Sequence, residues 1–345
     1  MKKSRLLRRI WLLALFLGCV YAALSYEPAI PSSASPSPLA AFSQNGINAE
    51  KIYIPAPQVT ATPTALTLAP TPTPTPQPTP FCICHISDTQ YYAYKIPEIF
   101  RTMTRYLVDS KEEFNILFAV HTGDVIDNRH YERHWTNAKS AIDILEGELP
   151  LYCIAGNHDV GADTADYTAF NSYGFNFAKD ASKQYEGGEC WYETFNAGGT
   201  DFLLLGIGWQ VNTDYLPWCA SVLAAHPNHV AIILVHSFLS DDGSLTTNGK
   251  RIESALIEPY PNVRLVLCGH NDGSVRIQLE YKGRTVNALM YNFQDDTENG
   301  LGYLRLLMFN PVTRKIAVTT YSPYLDDYNY CSDGTLDTFT LVDAF

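Results

Sequence analysis

Aspartate, asparagine, glutamine and histidine recur in short blocks along this chain: Asp88-Thr-Gln90, Gly123-Asp124-Val-Ile-Asp127-Asn128, Gly156-Asn157-His158-Asp159, His236, and Gly269-His270-Asn-Asp272. Most of these blocks directly follow an apolar run that reads as a strand. In a largely parallel sheet such positions gather along the carboxyl edge, where ligands bind. Carboxylate, amide oxygen and imidazole are donors to divalent cations, and a set of this size suits two of them. A single Asp after a strand is ordinarily a helix cap or a turn residue. Asp88, Asp124, Asn157, His236 and His270 all share that setting, and the repetition in order weakens the ordinary reading. Gly123 and Gly156 add to the case, because glycine allows tight turns and close backbone approach beside a metal.

The elements that must position these blocks alternate along the chain. Phe81-Cys-Ile-Cys-His-Ile86 is a short apolar run that predicts a strand, and residues 97–109 predict a helix with Ile99, Phe100, Met103 and Leu107 on one face. Residues 114–120 and 151–155 predict two more strands, with a helix over 131–145 between them. Residues 191–195 and 202–209 predict an antiparallel pair, and 230–235 and 263–267 two buried strands with a helix between. After Ser274 the pattern is nearly all strand, over 276–281, 285–291, 303–308 and 315–321, which predicts a second sheet packed on the first. The expectation is an α/β fold, a two-sheet β-sandwich flanked by helices, in one domain over 81–345.

Residues 1–25 predict an export signal: Lys2, Lys3, Arg5, Arg8 and Arg9 form a basic start, residues 10–20 are apolar, and small residues suited to cleavage follow. That run is shorter than the roughly 20 residues of a full membrane span, so a kept anchor is the lesser alternative. Phe16-Leu17-Gly18-Cys19 is a weak match to a bacterial lipobox. Residues 26–80 are rich in Pro, Ser, Thr and Ala and end in a Thr-Pro repeat, which predicts an extended, disordered linker. The expected location is therefore secreted or cell-surface, with the N-terminus near a membrane or cell wall. The net charge of -12 argues against a stable nucleic-acid complex. Cys82, Cys84, Cys153 and Cys268 lie in apolar strand runs and read as core, whereas Cys190, Cys219 and Cys331 are candidates for pairing.

The ordered blocks resemble the calcineurin-like metallophosphoesterases, whose motifs are Asp-x-His, Gly-Asp-x-x-Asp, Gly-Asn-His-Asp or Glu, a lone His, and Gly-His-x-His. The resemblance runs over roughly residues 81–321, and Gly-Asp-x-x-Asp with Gly-Asn-His-Asp is its most specific part. His85-Ile-Ser-Asp-Thr-Gln90, with Gly302-Tyr-Leu-Arg-Leu306 and Thr320-Tyr-Ser-Pro323, is similar to an exported bacterial branch of that family. The resemblance implies a four-layer fold and two divalent metal ions, drawn from Mn, Fe, Zn, Mg or Ca. It implies that Asp88 binds the first ion, that Asp124 bridges both, and that Asn157, His236 and His270 hold the second. His158 would protonate the leaving oxygen or steady the phosphoryl charge, with Asp127 or Asp159 orienting it or its neighbours, unless those two carboxylates serve only as loop hydrogen bonds. Gln90 and Asp272 stand where the family has histidines. If both bind, the first site is made wholly of oxygen donors and leans toward Mn²⁺, Mg²⁺ or Ca²⁺. If they do not, that site is poorly filled.

The implied reaction is hydrolysis of a phosphomonoester or phosphodiester by water activated between two ions, without a covalent enzyme intermediate. The alternative is a non-catalytic cell-surface binding module on the same fold, for which Gln90 and Asp272 leave room. Tyr91, Tyr92, Tyr94 and Trp135 are either a stacking surface for substrate or core, and Arg129 is either a phosphate contact or a surface residue. The chain has no Walker loop and no Gly-x-Ser-x-Gly turn, which ranks nucleotide-driven transfer and serine hydrolysis low.

Overall fold

Phe81–Ile86 forms β1, in which Phe81 and Ile83 point to one apolar layer and Cys82, Cys84 and Ile86 to another. A strand covered on both faces reads as a continuous apolar run, which is why it is so plain in the sequence. The structure is a computed structural model and describes residues 78–175, 180–294, 301–331 and 334–345. The signal expected over 1–25, and the linker expected over 26–80 up to residue 77, lie outside the described residues. Among the described residues no helix is long and apolar enough to cross a membrane.

After β1 come α1 (Gln90–Lys95) and α2 (Pro97–Asp109). Proline at the start of α2 sacrifices no useful donor there, and Ile99, Phe100, Met103 and Leu107 are buried as the spacing predicts. Next are β2 (Ile116–His121), α3 (Glu132–Ile142) and β3 (Leu151–Cys153), then the single turns α4 (Asn157–Val160) and α5 (Thr168–Ser172). The second half holds β4 (Gln184–Tyr185), β5 (Cys190–Ala197), β6 (Thr200–Ile207), α6 (Leu216–Ala225), β7 (Val230–Val235), α7 (Thr247–Ile252) and β8 (Val263–Cys268). It closes with β9 (Gly273–Tyr281), β10 (Arg284–Asn292), β11 (Leu304–Asn310), β12 (Lys315–Ser322), β13 (Asp327–Tyr328) and β14 (Thr338–Leu341).

The strands form two seven-stranded mixed sheets. One runs β13-β12-β11-β1-β2-β3 with β14 also on β12, and the other runs β4-β5-β6-β7-β8-β10-β9. Pairing is parallel through β1, β2 and β3, and through β6, β7, β8 and β10. Residues such as Ile83, Phe118, Leu204, Ile232, Leu265 and Leu307 fill the space between the sheets. Met103, Leu107 and Trp135 pack on the outer face of the first sheet, and Leu223, Ile252 and Leu256 on that of the second. The result is helix, sheet, sheet, helix.

The late strands do not make a sheet of their own, which corrects the expectation. β9 and β10 complete the sheet of β8, whereas β11 and β12 cross to β1, with Phe81 opposite Phe309 and Cys84 opposite Leu306. β1 is apolar on both faces and needs a hydrogen-bonding neighbour on the edge away from β2; β11 supplies it. The strand expected over 114–120 begins at Ile116, because Ser110 to Asn115 turn, with Phe114 N bonded to Ser110 O and Asn115 at φ 48°. Cys190 and Cys219 lie within β5 and α6 rather than in irregular segments. They are buried thiols in hydrogen-bond contact, and among the described residues neither they nor Cys331 form a disulfide.

Arg305 on β11 is fully buried beside the rings of Tyr291 and Phe339. Its guanidinium donates to Ser274 Oγ (2.5 Å), Leu336 O (2.8 Å), Met290 O (3.2 Å) and Thr320 Oγ1 (3.3 Å). One side chain thus ties β9, β10, β12 and the approach to β14 together. Arg305→Met should leave these acceptors unpaired and cost about 3 kcal/mol of folding stability, read as a lower urea midpoint with an unchanged m-value.

Candidate metal centre

The carboxyl ends of β1 and β2 in one sheet meet those of β7 and β8 in the other. Asp88, Asp124 and His270, each just past a strand, have φ of 53°, 54° and 72°. Left-handed backbone at a residue other than glycine costs on the order of 1–3 kcal/mol and persists where surroundings impose it. Asp and His tolerate it better than most residues. Here it turns the chain back sharply and aims three ligand-type side chains into one space. The loops are pinned by Asp88 N to Gly123 O (3.1 Å), Thr122 N to Ile86 O (3.1 Å) and Gly269 N to His236 O (3.1 Å). A Cβ at Gly156 would overlap the Asp124 carboxylate, and one at Gly269 would overlap Asp88 and Ser87. Both glycines are required by close approach.

His236 lies at the centre. Its Nδ1 donates to Thr122 O (2.8 Å), because a carbonyl can only accept. In the neutral ring, Nε2 therefore presents a lone pair. That lone pair faces Asn157 Oδ1 (3.1 Å), Asp124 Oδ2 (3.2 Å) and His270 Nδ1 (3.2 Å). Ligand atoms of Asp124, His236 and His270 all lie within 4.8 Å of one another. The carboxylate and amide oxygens give that lone pair no donor, and the mixed carboxylate, amide and imidazole set fits a divalent cation.

Asp124 also accepts from His158 N through Oδ1 (2.9 Å). Asp88 Oδ2 accepts from Ser87 Oγ (2.5 Å) and from His270 N (3.1 Å), so the Asp88 and His270 loops are joined directly. In the amide orientation that satisfies its neighbours, Gln90 donates nitrogen to Asp88 O (2.9 Å) and Asp124 O (3.0 Å). The atom 3.3 Å from Asp124 Oδ2 is then its oxygen, a further acceptor aimed at the same space.

The titration behaviour follows from this crowding. Burial pushes the Asp88 carboxyl up to about 7, opposed by His236 and reinforced by Asp124. Burial alone would lower His236, but Asp124 and Asp88 raise it to about 9. Burial and the charge of His236 depress His270 to about 4. Burial opposes ionisation of Asp124, yet His236 and His158 hold its pKa below the usual value. Without a cation, protons must mediate among these groups.

The fold brings together Asp88, Gln90, Asp124, Asn157, His236 and His270. Asp272, two residues past the turn made by His270, is exposed, while Asn271 Nδ2 anchors the turn to Leu239 O (2.7 Å). His158 stands beside the cluster with its side chain 39% exposed, its Nδ1 2.6 Å from Asp127 O and 3.7 Å from Asp127 Oδ1. Asp127 thus engages His158 mainly through its carbonyl. Asp159 is buried and accepts from Gly156 N (2.8 Å), Ile126 N (3.0 Å) and Val125 N (3.2 Å), so it acts on the loops beside His158 rather than on the ring itself. It binds the Asp124 loop to the Asn157 loop. Arg129 uses one guanidinium nitrogen, Nη1, to donate to Val160 O (2.9 Å) and to pair with Asp166 (3.5 Å). Tyr92 and Trp135 are core residues, whereas Tyr94 is 44% exposed beside the His134 ring.

Four residues at the site escape the sequence reading. Ser87 and Thr122 contact the Asp88 side, and Gln294 contacts Gln90. The Trp209 ring packs against His270 and His236, with centroids 5.5 and 6.0 Å away. Trp209 follows the end of β6, the same kind of strand-end position that marks the ligands.

Residues 82–271, more than half of the chain, match the family described as Calcineurin-like phosphoesterase, and the chain belongs to that family. It is 35% identical over 272 residues to the Bacillus subtilis (strain 168) protein named "Uncharacterized protein YvnB", across 74% of this chain. The match spans only 21% of that relative's length. Among solved structures, GAP50, titled the anchor in the inner membrane complex of Plasmodium, overlays with a TM-score of 0.48 at 11% identity, over 75% of this chain and 89% of its own. The Thermus thermophilus protein TT1561 gives 0.47 at 14% identity, over 71% and 100%.

A ligand that binds only the folded state stabilises it by mass action, by about 2.7 kcal/mol at a concentration 100 times its Kd. Mn²⁺ added to the metal-stripped protein should therefore raise Tm in a concentration-dependent way. Asp124→Asn and His236→Ala should abolish most of that rise, and an equal rise in both variants would place the binding elsewhere.

Proposed function

We propose that this calcineurin-like phosphoesterase is an exported hydrolase of phosphomonoesters or phosphodiesters that works with two divalent metal ions. The observation that carries the reading is the convergence of Asp124 Oδ2, Asn157 Oδ1 and His270 Nδ1 on His236 Nε2 with His158 alongside. Asp88 and Gln90 would hold one ion, Asp124 would bridge, and Asn157, His236 and His270 would hold the other. Asp272, exposed beyond the cluster, is left out of this set. When bound, such ions lower the pKa of water and neutralise phosphate charge.

The chain's own contribution is arrangement. Thr122 O fixes the His236 ring so that Nε2 and not Nδ1 faces the ligands. Asp159 holds the Asp124 and Asn157 loops at a constant separation through three backbone N–H groups. Asp127 O accepts the His158 Nδ1 proton, which leaves Nε2 as the ring nitrogen able to pass a proton to the leaving oxygen. Trp209 closes one side of the imidazole pair and shields it from water. The export part of the reading rests on the basic, apolar and small-residue order of residues 1–25, and membrane or wall proximity on the Pro/Thr-rich residues after them.

The test is hydrolysis of paired chromogenic phosphomonoester and phosphodiester substrates by the metal-stripped chain, refilled in turn with Mn²⁺, Mg²⁺, Ca²⁺, Fe²⁺ and Zn²⁺. Turnover should return with metal and favour one ester class. His158→Ala should lower kcat about 100-fold or more with metal still bound, and Asp124→Asn should abolish both. Tight metal binding with no turnover of either ester would favour the non-catalytic binding module.

A further inference from the structure

We propose that Thr122 and Ser87, backed by His85, are positioning residues that form a one-way hydrogen-bond chain ending on the Asp88 carboxylate. The inference rests on the reading of Asp88 as a metal ligand, and therefore as an ionised group.

His85 Nε2 lies 2.9 Å from Thr122 Oγ1, which lies 2.6 Å from Ser87 Oγ, which donates to Asp88 Oδ2 at 2.5 Å. All four side chains are buried. Each hydroxyl has one proton to give. Ser87 gives its proton to Asp88, so the proton between the two hydroxyls must come from Thr122. Thr122 Oγ1 then has only lone pairs for His85, so Nε2 must carry the imidazole proton. That leaves His85 Nδ1 bare, and this is the ring nitrogen that is buried without a partner. The orphan atom is the one that proton accounting requires to be a lone pair. An unpaired acceptor is also better tolerated in the interior than an unpaired donor.

The direction has a consequence for Asp88. Ser87 and the His270 N–H occupy Oδ2, while Oδ1 has only the longer contact to His270 N at 3.2 Å. The chain therefore engages Oδ2 and leaves Oδ1 as the Asp88 oxygen with the fewer donors. Aligned hydrogen bonds also reinforce one another in a low-dielectric interior, which favours the ionised carboxylate. Thr122 serves both sheets at once: its carbonyl orients His236 while its hydroxyl orients Asp88 through Ser87. Such a group of buried hydroxyls and imidazole is costly to desolvate, and its geometric product is the setting of one ligand against the other. His85 is itself held in place by the Tyr291 ring at 4.9 Å and by Tyr291 OH on its carbonyl (2.7 Å).

Two readouts test this on the full chain. Outer partners of metal ligands typically change affinity 10–100-fold when removed. Thr122→Val and Ser87→Ala should thus each weaken Mn²⁺ binding about 10-fold or more, measured by equilibrium dialysis and Mn²⁺ EPR, and Thr122→Ser should restore it. Wild-type affinity in both Thr122→Val and Ser87→Ala overturns the inference and leaves Asp88 as a ligand. Failure of Thr122→Ser to restore binding also overturns it, because the loss then comes from packing. No Mn²⁺ binding by the unaltered chain overturns both the inference and the reading beneath it. The second readout needs no substitution: side-chain ¹⁵N NMR should show His85 protonated at Nε2 and bare at Nδ1. A proton at Nδ1 rules the directed chain out even if the variants fail to fold.

Discussion

Acceptor atoms that face one another around His236 Nε2 are the constraint from which the remaining features follow. A carboxylate oxygen, an amide oxygen and a second imidazole nitrogen within 3.2 Å of that nitrogen are unfavourable neighbours unless a proton or cation lies among them. Bringing them so close requires three residues with left-handed backbone and glycines whose Cβ would overlap the carboxylates. Each of these features lowers the stability of the bare fold. They make sense together as a preorganised site, in which the cost of crowding is met in advance and released when a cation binds.

The two sheets share that site unequally. Asp88 and Asp124 come from the sheet of β1 and β2, whereas His236 and His270 come from the sheet of β7 and β8. Ligand distances are therefore set by how the sheets pack. The far end of the sandwich carries a cluster of Phe81, Phe202, Phe309 and Phe345 rings with centroids 4.9–5.9 Å apart. Close-packed interiors transmit strain because they have few voids in which to absorb it. The bond from His236 Nδ1 to Thr122 O and the bond from His270 N to Asp88 tie the sheets together at the other end, beside the ligands themselves.

Much of this was legible because strands buried on both faces leave apolar runs that stop abruptly where the ligands begin. The run of β1 ends before Ser87 and Asp88, and that of β7 ends directly before His236. What was illegible depends on partners distant in sequence. The pattern after Ser274 shows strands but not which sheet each joins, since β10 and β11 are similar apolar runs that join opposite sheets. α6 carries Leu216, Trp218, Ala220 and Val222 around most of its surface, so no polar stripe distinguishes it from a strand. Asp272 matches a ligand by spacing, yet the left-handed turn at His270 carries it to the surface. Ser87 and Thr122 gave no signal because a hydroxyl beside a strand is ordinary until its partners are known.

The place of Asp272 changes the charge argument as well. With three carboxylates around two divalent cations, little positive charge would remain to attract a phosphate ester. The proposed set, which leaves out exposed Asp272, has two, Asp88 and Asp124, together with neutral donors from Gln90, Asn157, His236 and His270. Two divalent ions held by this set would leave a clearly positive centre within a chain whose net charge is -12. A local positive charge at a partly buried site attracts an incoming anion strongly, whereas the charge of distant exposed carboxylates is screened within about 8 Å at physiological salt. The acidic surface would then discourage long polyanions that must lie along it, while a compact phosphate ester need only reach the cations. Under the proposed hydrolase reading, that asymmetry would favour small or terminal phosphate groups over the backbone of a nucleic-acid duplex.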